Sequence, residues 1–443
     1  MKLEQALAHT AEVFEPKTFE AFREQLDPAW IMQALADTGT ASVRRRRLAA
    51  EDMIWLVIGM SLLRDRPIVE VARSLEIAGS GKRPVADSAV FAARARLGKE
   101  PVQWLFHHSA KTWAHRSAAD DRFNGLALYG LDGSSLRVPD SPENATRFGY
   151  SKGVRGESGY PLVRLVALMA LRSHLLAGAA FGAFDKGEYT YAESLWDELP
   201  DDSLCVVDRL FFSARLLLRL QDEAKNKHWL IRAKQRTQMR VIEKLGPGDA
   251  VVELPVSPEA RQKDPSLPQS FVARVVDYQR KGFKPQKLLT SLLDARRFSR
   301  EAVVALYHER WELELGYDEI KTKLLDRRES IRSKSPDGVE QEIWGLLLAY
   351  NLVRSYMVRV GKLADVAPLR ISFVTALRCI REEWFWDSQP RMAVGAIPRH
   401  LQRLAEQLSR FILPERRSER SFPRAVKIKM SNYPRKRRPA GEK

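Results

Sequence analysis

Residues 125–135 read GLALYGLDGSS, a short apolar run that ends in an acid, Asp132, and a polar turn. A second apolar run, SLCVVD at 203–208, ends in the same way at Asp208. Short apolar runs bounded by turn residues are typical of buried strands. Open sheets place their functional sites at the carboxyl ends of neighbouring strands. The two runs therefore predict an α/β fold with Asp132 and Asp208 as candidate site residues, although acids at strand ends also serve as caps and turn formers.

Further strands and helices are predicted around these two runs. Residues 236–290 are rich in Val, with several Pro and Gly, and predict a β-rich insertion that is separate from the main sheet. A long helix is predicted over 299–326. The remaining predictions are strands at 160–171, 175–184 and 228–234, a turn at 172–174, and helices at 191–199 and 214–224.

The sequence divides into three predicted domains. Residues 1–120 are helical in pattern, residues 121–355 hold the strands, and residues 356–443 are helical with a basic tail. Domain sizes of this order are usual for a chain of 443 residues.

Two features of the first domain are open to two interpretations each. Segments 68–75 and 88–97 fit either a helix-turn-helix that reads DNA, with Arg94 and Arg96 on its second helix, or a plain helical bundle. The four arginines at 44–47 are either a solvated face or a phosphate contact.

The composition favours a polyanionic partner. The chain has 73 Lys and Arg against 56 Asp and Glu, a net charge of +17. Such an excess suits nucleic acid or an anionic membrane surface. The apolar stretch 54–63 is too short to cross a bilayer, which takes about 20 residues, and the stretch 162–184 contains Arg164 and Arg172. We therefore expect a cytoplasmic protein that does not enter a membrane.

Four polar residues of the predicted helix 299–326 recur at intervals of three, four and seven: Tyr307, Arg310, Glu314 and Lys321. At about 100° per residue they share a sector of roughly 60° on a regular helix. An acid beside cations and a hydroxyl suits a site for metal and phosphate. The alternative is an exposed helix with i,i+4 ion pairs.

The other positions of this helix are assigned to packing or to solvent. Glu312 and Glu319 point away from Glu314 and are predicted to face solvent. Asp318 lies close to the polar sector and is the rival third acid. The apolar residues of an adjacent sector are predicted to seat the helix on the sheet: Leu306, Leu313, Ile320 and Leu324.

The spacing Tyr307-x2-Arg310-x3-Glu314-x6-Lys321 resembles the full Tyr-Arg-Glu-Lys signature of the insertion-sequence-four group of DDE transposases. Three other places agree: the DGS at Asp132, the DR pair at Asp208 with two Phe after it, and IRAK at 231–234. The resemblance covers about residues 125–355. It implies a multidomain α/β fold, in which an RNase H-like mixed-sheet catalytic core with a β-rich insertion is flanked by helical N- and C-terminal regions.

The resemblance also implies the chemistry of the site. Asp132, Asp208 and Glu314 would be the catalytic acids and would hold two Mg²⁺ ions, which Mn²⁺ can replace. The residues implied or suggested as DNA contacts are Tyr307, Arg310 and Lys321, with Arg232 and Lys234 as weaker candidates.

The group's partners and reaction follow in the same way. The substrates would be double-stranded DNA with terminal inverted repeats and a target DNA, bound by a synaptic homodimer in the bacterial nucleoid. The reaction would be cut-and-paste transposition by phosphodiester hydrolysis and transesterification. Members of the group can flip out a nucleotide and form a hairpin on the element's end. When a nucleotide is flipped out, Phe298 or Trp311 could fill the space that it leaves in the base stack. The alternative interpretation is that both are core residues.

Two other functions stay open at this point. One is a catalytically inactive, DNA-binding regulator derived from a transposase, which the presence of three acids and a full signature disfavours. The other is a nuclease that cuts at the same site without strand transfer.

Overall fold

The computed structural model describes residues 26–40, 48–75, 77, 85–153, 156–222, 224–279, 284–326, 330–386 and 412–413. The chain forms two compact units. The sheet unit comprises the described parts of Lys111–Asp140 and Ala145–Tyr317. The helical unit comprises the described parts of Met1–Ala110, Ser141–Asn144 and Asp318–Glu415. The three domains expected from the sequence stay a prediction.

The strands of the sheet unit are β1 (Ala127–Arg137), β2 (Lys152–Gly153), β3 (Gly156–Glu157), β4 (Leu162–Ala170), β5 (Leu176–Ala183), β6 (Ser203–Val207), β7 (Lys227–Arg232), β8 (Arg240–Gly246), β9 (Asp249–Pro255), β10 (Ser270–Tyr278) and β11 (Gln286–Thr290). Among the described residues, nine of them form one sheet in the order β5-β4-β1-β6-β7-β11-β10-β9-β8. β1 pairs antiparallel with β4 and parallel with β6, and β6 pairs parallel with β7. This mixed sheet confirms the predicted α/β class.

Every residue of β6 is buried, which explains why its sequence is an unbroken apolar run. Three helices run across the boundaries of the units: α5 (Glu100–Asp120), α6 (Pro142–Phe148) and, by its last residue, α11 (Trp311–Asp318). The other helices of this region are α7 (Glu188–Glu193), α8 (Ala214–Leu220), α9 (Pro258–Lys263) and α10 (Arg300–His308), with 3₁₀ turns at Trp196–Glu198 and Arg209–Phe211.

The insertion is β-rich as predicted, but the expectation that it lies apart from the main sheet is wrong. β11 pairs antiparallel with β7, so that Leu289 lies opposite Ile231, and the insertion strands continue the same sheet. Without β11 the strand β7 would present an unpaired edge, which is costly where its neighbours are buried. Leu288 and Leu289 are fully buried at this junction.

The single long helix predicted over 299–326 is also wrong. α10 ends at His308, α11 starts at Trp311, and Glu319–Leu324 form a π-helical segment. Between the two helices the backbone bonds shorten to the i→i−3 pattern, with the amide of Glu312 donating to the carbonyl of Glu309 at 2.9 Å. The regular 100° spacing therefore does not extend from Tyr307 to Lys321.

The helical unit is built around two apolar helices that pack closely. Gly345 makes this approach possible, because a Cβ there would lie 2.4 Å from the side chain of Val57. Its elements are α1 (Pro28–Asp37), α2 (Ala50–Leu62), α3 (Ile68–Ser74), α4 (Asp87–Leu97), α12 (Pro336–Ala364), a 3₁₀ turn at Pro368–Arg370 and α13 (Phe373–Trp386).

The structure corrects the suggestion that Arg94 reads DNA. Its side chain is buried, and it donates to the Oε1 of Gln341 at 2.7 Å and to the Oγ of Ser333 at 2.8 Å. A guanidinium with these partners fixes α4 to other parts of the helical unit. Arg96 is exposed on the same helix.

Some predicted features lie outside the described residues. These are the arginine run at 44–47, most of the stretch between segments 68–75 and 88–97, and the basic tail of the third predicted domain. In the described part of the chain, no helix combines the length and the apolar character that a bilayer crossing demands.

Candidate active site

Asp132 and Asp208 lie side by side on neighbouring strands. Asp132 is in the middle of β1 rather than at its end, because β1 continues to Arg137 in its pairing with β4. The parallel pairing of β1 with β6 stops at Leu131 opposite Val207. The next residue on each strand is therefore an aspartate, and adjacent strands are roughly 4.8 Å apart. The shared register sets the two carboxylates at one level of the sheet.

The backbone around each aspartate holds its carboxylate. The Oδ1 of Asp132 accepts from the amide of Gly133 at 2.8 Å, and the Oδ1 of Asp208 accepts from the amide of Arg209 at 2.7 Å. The hydroxyl of Tyr317 donates to the carbonyl of Asp132 at 2.7 Å and accepts from the amide of Ala167 at 3.1 Å. These bonds fix the two acids before any ligand arrives.

Burial raises the pKa of Asp132 to about 6. The amide of Gly133 and the guanidinium of Arg310 oppose this shift, while the carboxylates of Glu188 and Asp208 add to it. Burial, the largest cause, leaves the ionised carboxylate of Asp132 poorly solvated, and a bound cation would stabilise that form.

Gly130 brings the third acid to the sheet. A Cβ at this position would lie 2.8 Å from the Cδ1 of Leu313 and 2.7 Å from the Cδ2 of Leu171, so the missing side chain leaves room for Leu313 of α11 against β1. Gly130 and Asp132 share one face of β1, since side chains two apart point the same way. Glu314 follows Leu313 on that helix, and the Nη2 of Arg310 donates to its Oε1 at 3.1 Å. The Nη1 of Arg310 lies 4.0 Å from the Oδ2 of Asp132.

Tyr307 and Arg232 belong to the same cluster. Burial raises the pKa of Tyr307 to about 12, against the opposing effect of Arg310 and Arg232, and the charge of Asp208 adds to the shift. The Tyr307 side chain is 6% exposed. The structure thus brings together Asp132, Asp208, Glu314, Tyr307, Arg310 and Arg232.

Glu188 is an acid that the sequence analysis missed. It begins α7, and its Oε2 lies 2.5 Å from where a Cβ of residue 133 would be, which explains the glycine after Asp132. The Nη1 of Arg164 donates to the Oε1 of Glu188 at 2.8 Å. That strand glycine was the available signal, because such glycines often mark a close approach.

The predictions for the other helix acids need correction. Glu312 does not face solvent, because its Oε2 lies 2.9 Å from the Nε2 of buried His174. Glu319 also has protein partners: the hydroxyl of Tyr350 donates to it at 2.8 Å, and Arg354 pairs with it. The predicted apolar residues are all buried: Leu306, Leu313, Ile320 and Leu324.

Asp318 and Lys321 are residues of the helical unit. The side chain of Asp318 is 51% exposed and lies 4.0 Å from the Nζ of Lys323. Lys321 lies in the π-helical segment and is half-buried. π-Helical turns are frequent at functional sites.

Lys234 lies beside an open cavity of about 790 Å³. Its Nζ donates to the carbonyl of Phe212 at 3.2 Å and lies 5.5 Å from the centre of that ring. Phe298 is a core residue that stacks on Phe123, whereas Trp311 is 43% exposed. The cavity is lined by aromatic and basic side chains that include Tyr189, Phe212, Phe271, Arg215, Lys234 and Arg236.

The acids suit a hard divalent cation. Within the described ranges, no three Asp, Glu, His or Cys side chains are close enough to enclose an ion by themselves. Mg²⁺ usually takes only one or two protein carboxylates and completes its shell with water and phosphate oxygens. Asp132 and Asp208, which the register of β1 and β6 brings to one level of the sheet, provide such a pair.

Asp132→Asn is expected to stabilise the metal-free protein at pH 8. Folding raises the pKa of Asp132 from 3.8 to about 6, so its contribution to stability is present below pH 4 and is lost as the pH rises through about 6. Asparagine removes the ionised form, and we expect a gain on the order of 1 kcal/mol. Thermal unfolding with a chelator measures it. The gain should disappear near pH 4, and a less stable variant at pH 8 would contradict the reasoning.

Comparisons with known families show which family the chain belongs to. The family described as Transposase DDE domain matches residues 128–352, just over half of the chain and a segment that holds all three acids. The family described as Insertion element 4 transposase N-terminal matches residues 16–107. The chain belongs to the insertion element 4 family of DDE transposases. It is therefore a DNA transposase, and its activity at transposon ends depends on divalent metal ions.

Similar proteins carry the same description. The transposase InsG for insertion sequence element IS4 of Escherichia coli K12 is 40% identical over 413 residues, 93% of this transposase and 92% of that protein. The putative transposase InsZ of the same strain is 36% identical over 232 residues, 52% of this chain and 76% of that one. Among solved structures, a piggyBac transposase synaptic complex with hairpin DNA matches with a TM-score of 0.44 and 10% identity, over 90% of this chain and 86% of that chain.

Proposed function

We propose that this transposase cuts and rejoins DNA at the inverted-repeat ends of its element by a cut-and-paste route, with Asp132, Asp208 and Glu314 as metal ligands. The observation that carries the proposal is the register of β1 and β6, which aligns two aspartates, beside a glycine that admits the helix of Glu314. The proposed cofactors are two Mg²⁺ ions, which Mn²⁺ can replace.

The reaction breaks one P–O bond and forms another in each step. In hydrolysis, water attacks the phosphodiester and the 3′-oxygen of the element leaves as a hydroxyl. In strand transfer, that hydroxyl attacks a target phosphodiester, and a target 3′-oxygen leaves. Ions held by the carboxylates would activate the attacking oxygen and stabilise the leaving one. Arg310, between Asp132 and Glu314, is placed to donate to a phosphate oxygen as it gains charge.

The remaining site residues are proposed as DNA contacts. Tyr307 lies within the electrostatic reach of both Arg232 and Asp208. The Nε of Arg232 is buried without a hydrogen-bond partner among the described residues, which favours an incoming acceptor. Lys234 and Phe212 offer a cation and a ring to an unstacked nucleotide at the cavity. Lys321 would contact a phosphate.

The proposed partners are double-stranded DNA with terminal inverted repeats, a target DNA, and a second copy of the chain in a synaptic homodimer. The curated relatives are from a bacterium, and we propose that the protein works on the bacterial nucleoid. No observation favours the inactive regulator, since the chain has all three of the proposed acids.

Cleavage of labelled element ends tests the proposal. The inverted repeats are identified in the DNA that flanks the gene, and end fragments are incubated with purified protein, with and without Mg²⁺, beside Asp132→Ala. We expect metal-dependent cutting at the repeat boundary and none with the variant. Specific binding without cutting in Mg²⁺ or Mn²⁺ would support the regulator instead. Cutting without joining to target DNA would support the nuclease.

Lys321→Ala is expected to weaken end binding about five- to tenfold, and to lower the slope of log affinity against log salt by about 1, because it removes one phosphate contact. Filter binding over a range of salt concentrations measures both. Lys323→Ala is the matched control, since this lysine is in the same segment and lies near Asp318. Equal effects of the two variants would mean that Lys321 acts only through general charge.

A further inference from the structure

The break between α10 and α11 has no local cause in the sequence. Residues 308–313 read HERWEL and contain neither Gly nor Pro, the usual sources of a sharp irregularity in a helix. Yet the amides of Glu309, Arg310 and Leu313 all donate to the residue three before them, at 2.9, 3.2 and 3.1 Å. Contacts from elsewhere in the fold must therefore hold this irregular geometry.

Arg172, in the turn between β4 and β5, forms an ion pair with Glu309, the first residue of the break. Its Nε and Nη2 donate to the two carboxylate oxygens of Glu309, each at 2.9 Å. A two-pronged bond of this kind fixes orientation as well as distance. The Nη1 of Arg172 also donates to Asp121 at 2.6 Å, which holds the guanidinium from its other side.

His174, two residues further along the same turn, contacts Glu312 near the other end of the break. Its Nε2 lies 2.9 Å from the Oε2 of Glu312. The imidazole is 1% exposed, and the backbone of His174 is left-handed, with φ of 60°. A non-glycine residue in this conformation is uncommon and needs surrounding structure to hold it. The turn thus contacts the helix break through two side chains, Arg172 and His174.

The helix break and the start of α11 contain two charged residues of the candidate site, Arg310 and Glu314. Arg310 lies between Glu309 and Glu312, and its guanidinium reaches 4.0 Å from Asp132 and 3.1 Å from Glu314. In a helix of regular α geometry through residues 308–313, side chains from Arg310 onward would rotate relative to those of α10. The turn therefore sets the direction in which Arg310 and Glu314 point.

We propose that Arg172 and His174 are positioning residues, which clamp the helix break so that Arg310 and Glu314 face Asp132. The proposal rests on the proposed function for its effect on cleavage, while its effect on the helix is independent of it. Loss of the clamp should slow the chemical step and leave end binding intact, because misplaced catalytic groups lower the rate without removing DNA contacts.

Arg172→Met tests the clamp through two measurements. Single-turnover cleavage should slow by about 10- to 100-fold, as for other residues that orient catalytic groups, with the end-binding Kd within about twofold. Hydrogen exchange in residues 309–318 should speed up, and this readout does not require cleavage. Arg172→Lys should lie in between, because an ammonium cannot make the two-pronged bond. The matched control is Arg219→Met, which removes an exposed pair with Asp197.

A double-mutant cycle with Glu309→Gln decides whether the two residues act as a unit. The double variant should be no slower than the slower single variant. Additive losses, equal losses of binding and cleavage, or unchanged exchange in residues 309–318 would each overturn the proposal. Should the unaltered protein bind ends and not cut them, the function proposed above fails, and the exchange measurement still decides the clamp.

Discussion

Glu314→Gln is expected to slow DNA cleavage on the order of 10³-fold or more while end binding stays within about threefold. Glutamine keeps the size of the side chain and can still accept from Arg310, which lies 3.1 Å from the Oε1 of Glu314. It lacks the negative charge that makes a carboxylate a strong ligand for a divalent ion. The phosphate contacts are on other residues, so the affinity for DNA ends should persist.

Single-turnover cleavage of an element end in Mg²⁺, beside a binding titration without metal, measures this split. Asp318→Asn is the matched control, because Asp318 is the nearest acid further along the chain and its side chain is 51% exposed. It should cut at the normal rate. An active Glu314→Gln together with an inactive Asp318→Asn would move the third ligand to Asp318.

Glu342→Gln is expected to cost about 3–5 kcal/mol of stability, the usual effect of removing one partner from a buried ion pair. The side chain of Glu342 is 1% exposed, and Arg64 donates to its Oε1 at 2.6 Å. The amide and hydroxyl of Ser333 donate to its Oε2 at 3.0 and 2.6 Å. Arg332 and Arg94 add positive charge nearby. Without the carboxylate, these arginines would be buried with too little negative charge.

Burial would raise the pKa of Glu342, but Arg64, Arg94 and the hydrogen bond from Ser333 outweigh it and lower the pKa. The contribution of the carboxylate is therefore complete above its ordinary value of 4.5 and is lost as the pH falls through the lowered value. Denaturant unfolding at pH 7 measures the loss. Glu340→Gln is the matched control on α12, since its partner Lys99 is partly exposed and the loss should be under about 1 kcal/mol. Equal losses would contradict the account.

The sequence was informative wherever the deciding interaction is local. An unbroken apolar run predicts a buried strand because every side chain of β6 is covered, and the observed β6 is Ser203–Val207 as expected. The spacing of Tyr307, Arg310 and Glu314 indicated a site because residues three and four apart lie close together along a helical segment, even though the structure divides this segment between α10 and α11. The structure places these three together with Asp132 and Asp208.

The pairing of strands that are distant in the chain could not be predicted from the sequence. Nothing in the residues of β11 shows that it pairs with β7 some 50 residues earlier, and the Pro- and Gly-containing segment between them pointed to a separate sheet. Strand pairing depends on hydrogen bonds whose partners the period-two pattern does not name. The continuous sheet is therefore a result of tertiary structure.

The same limit explains the errors about charged residues. A periodic pattern places Glu312 and Glu319 on the polar side of a helix. It cannot show that Glu312 pairs with His174 or that Glu319 pairs with Arg354. Arginine is a residue type that often contacts DNA, but Arg94 is buried and hydrogen-bonded within the protein. Charges are buried only when partners compensate them, and those partners are more than 30 residues away in each case.

By itself, then, the sequence determined the α/β class, the two candidate aspartates and the Tyr-Arg-Glu-Lys spacing that carries the family resemblance, because these depend on residue types at short spacing. Tertiary structure alone decided that Asp132 and Asp208 share one level of the sheet, that Leu313 packs against Gly130, and that Arg172 pairs with Glu309 at the helix break. The physical reason is one of range: periodicity reports which face of an element is apolar, whereas register, close approach and ion pairing are set by residues distant in the chain.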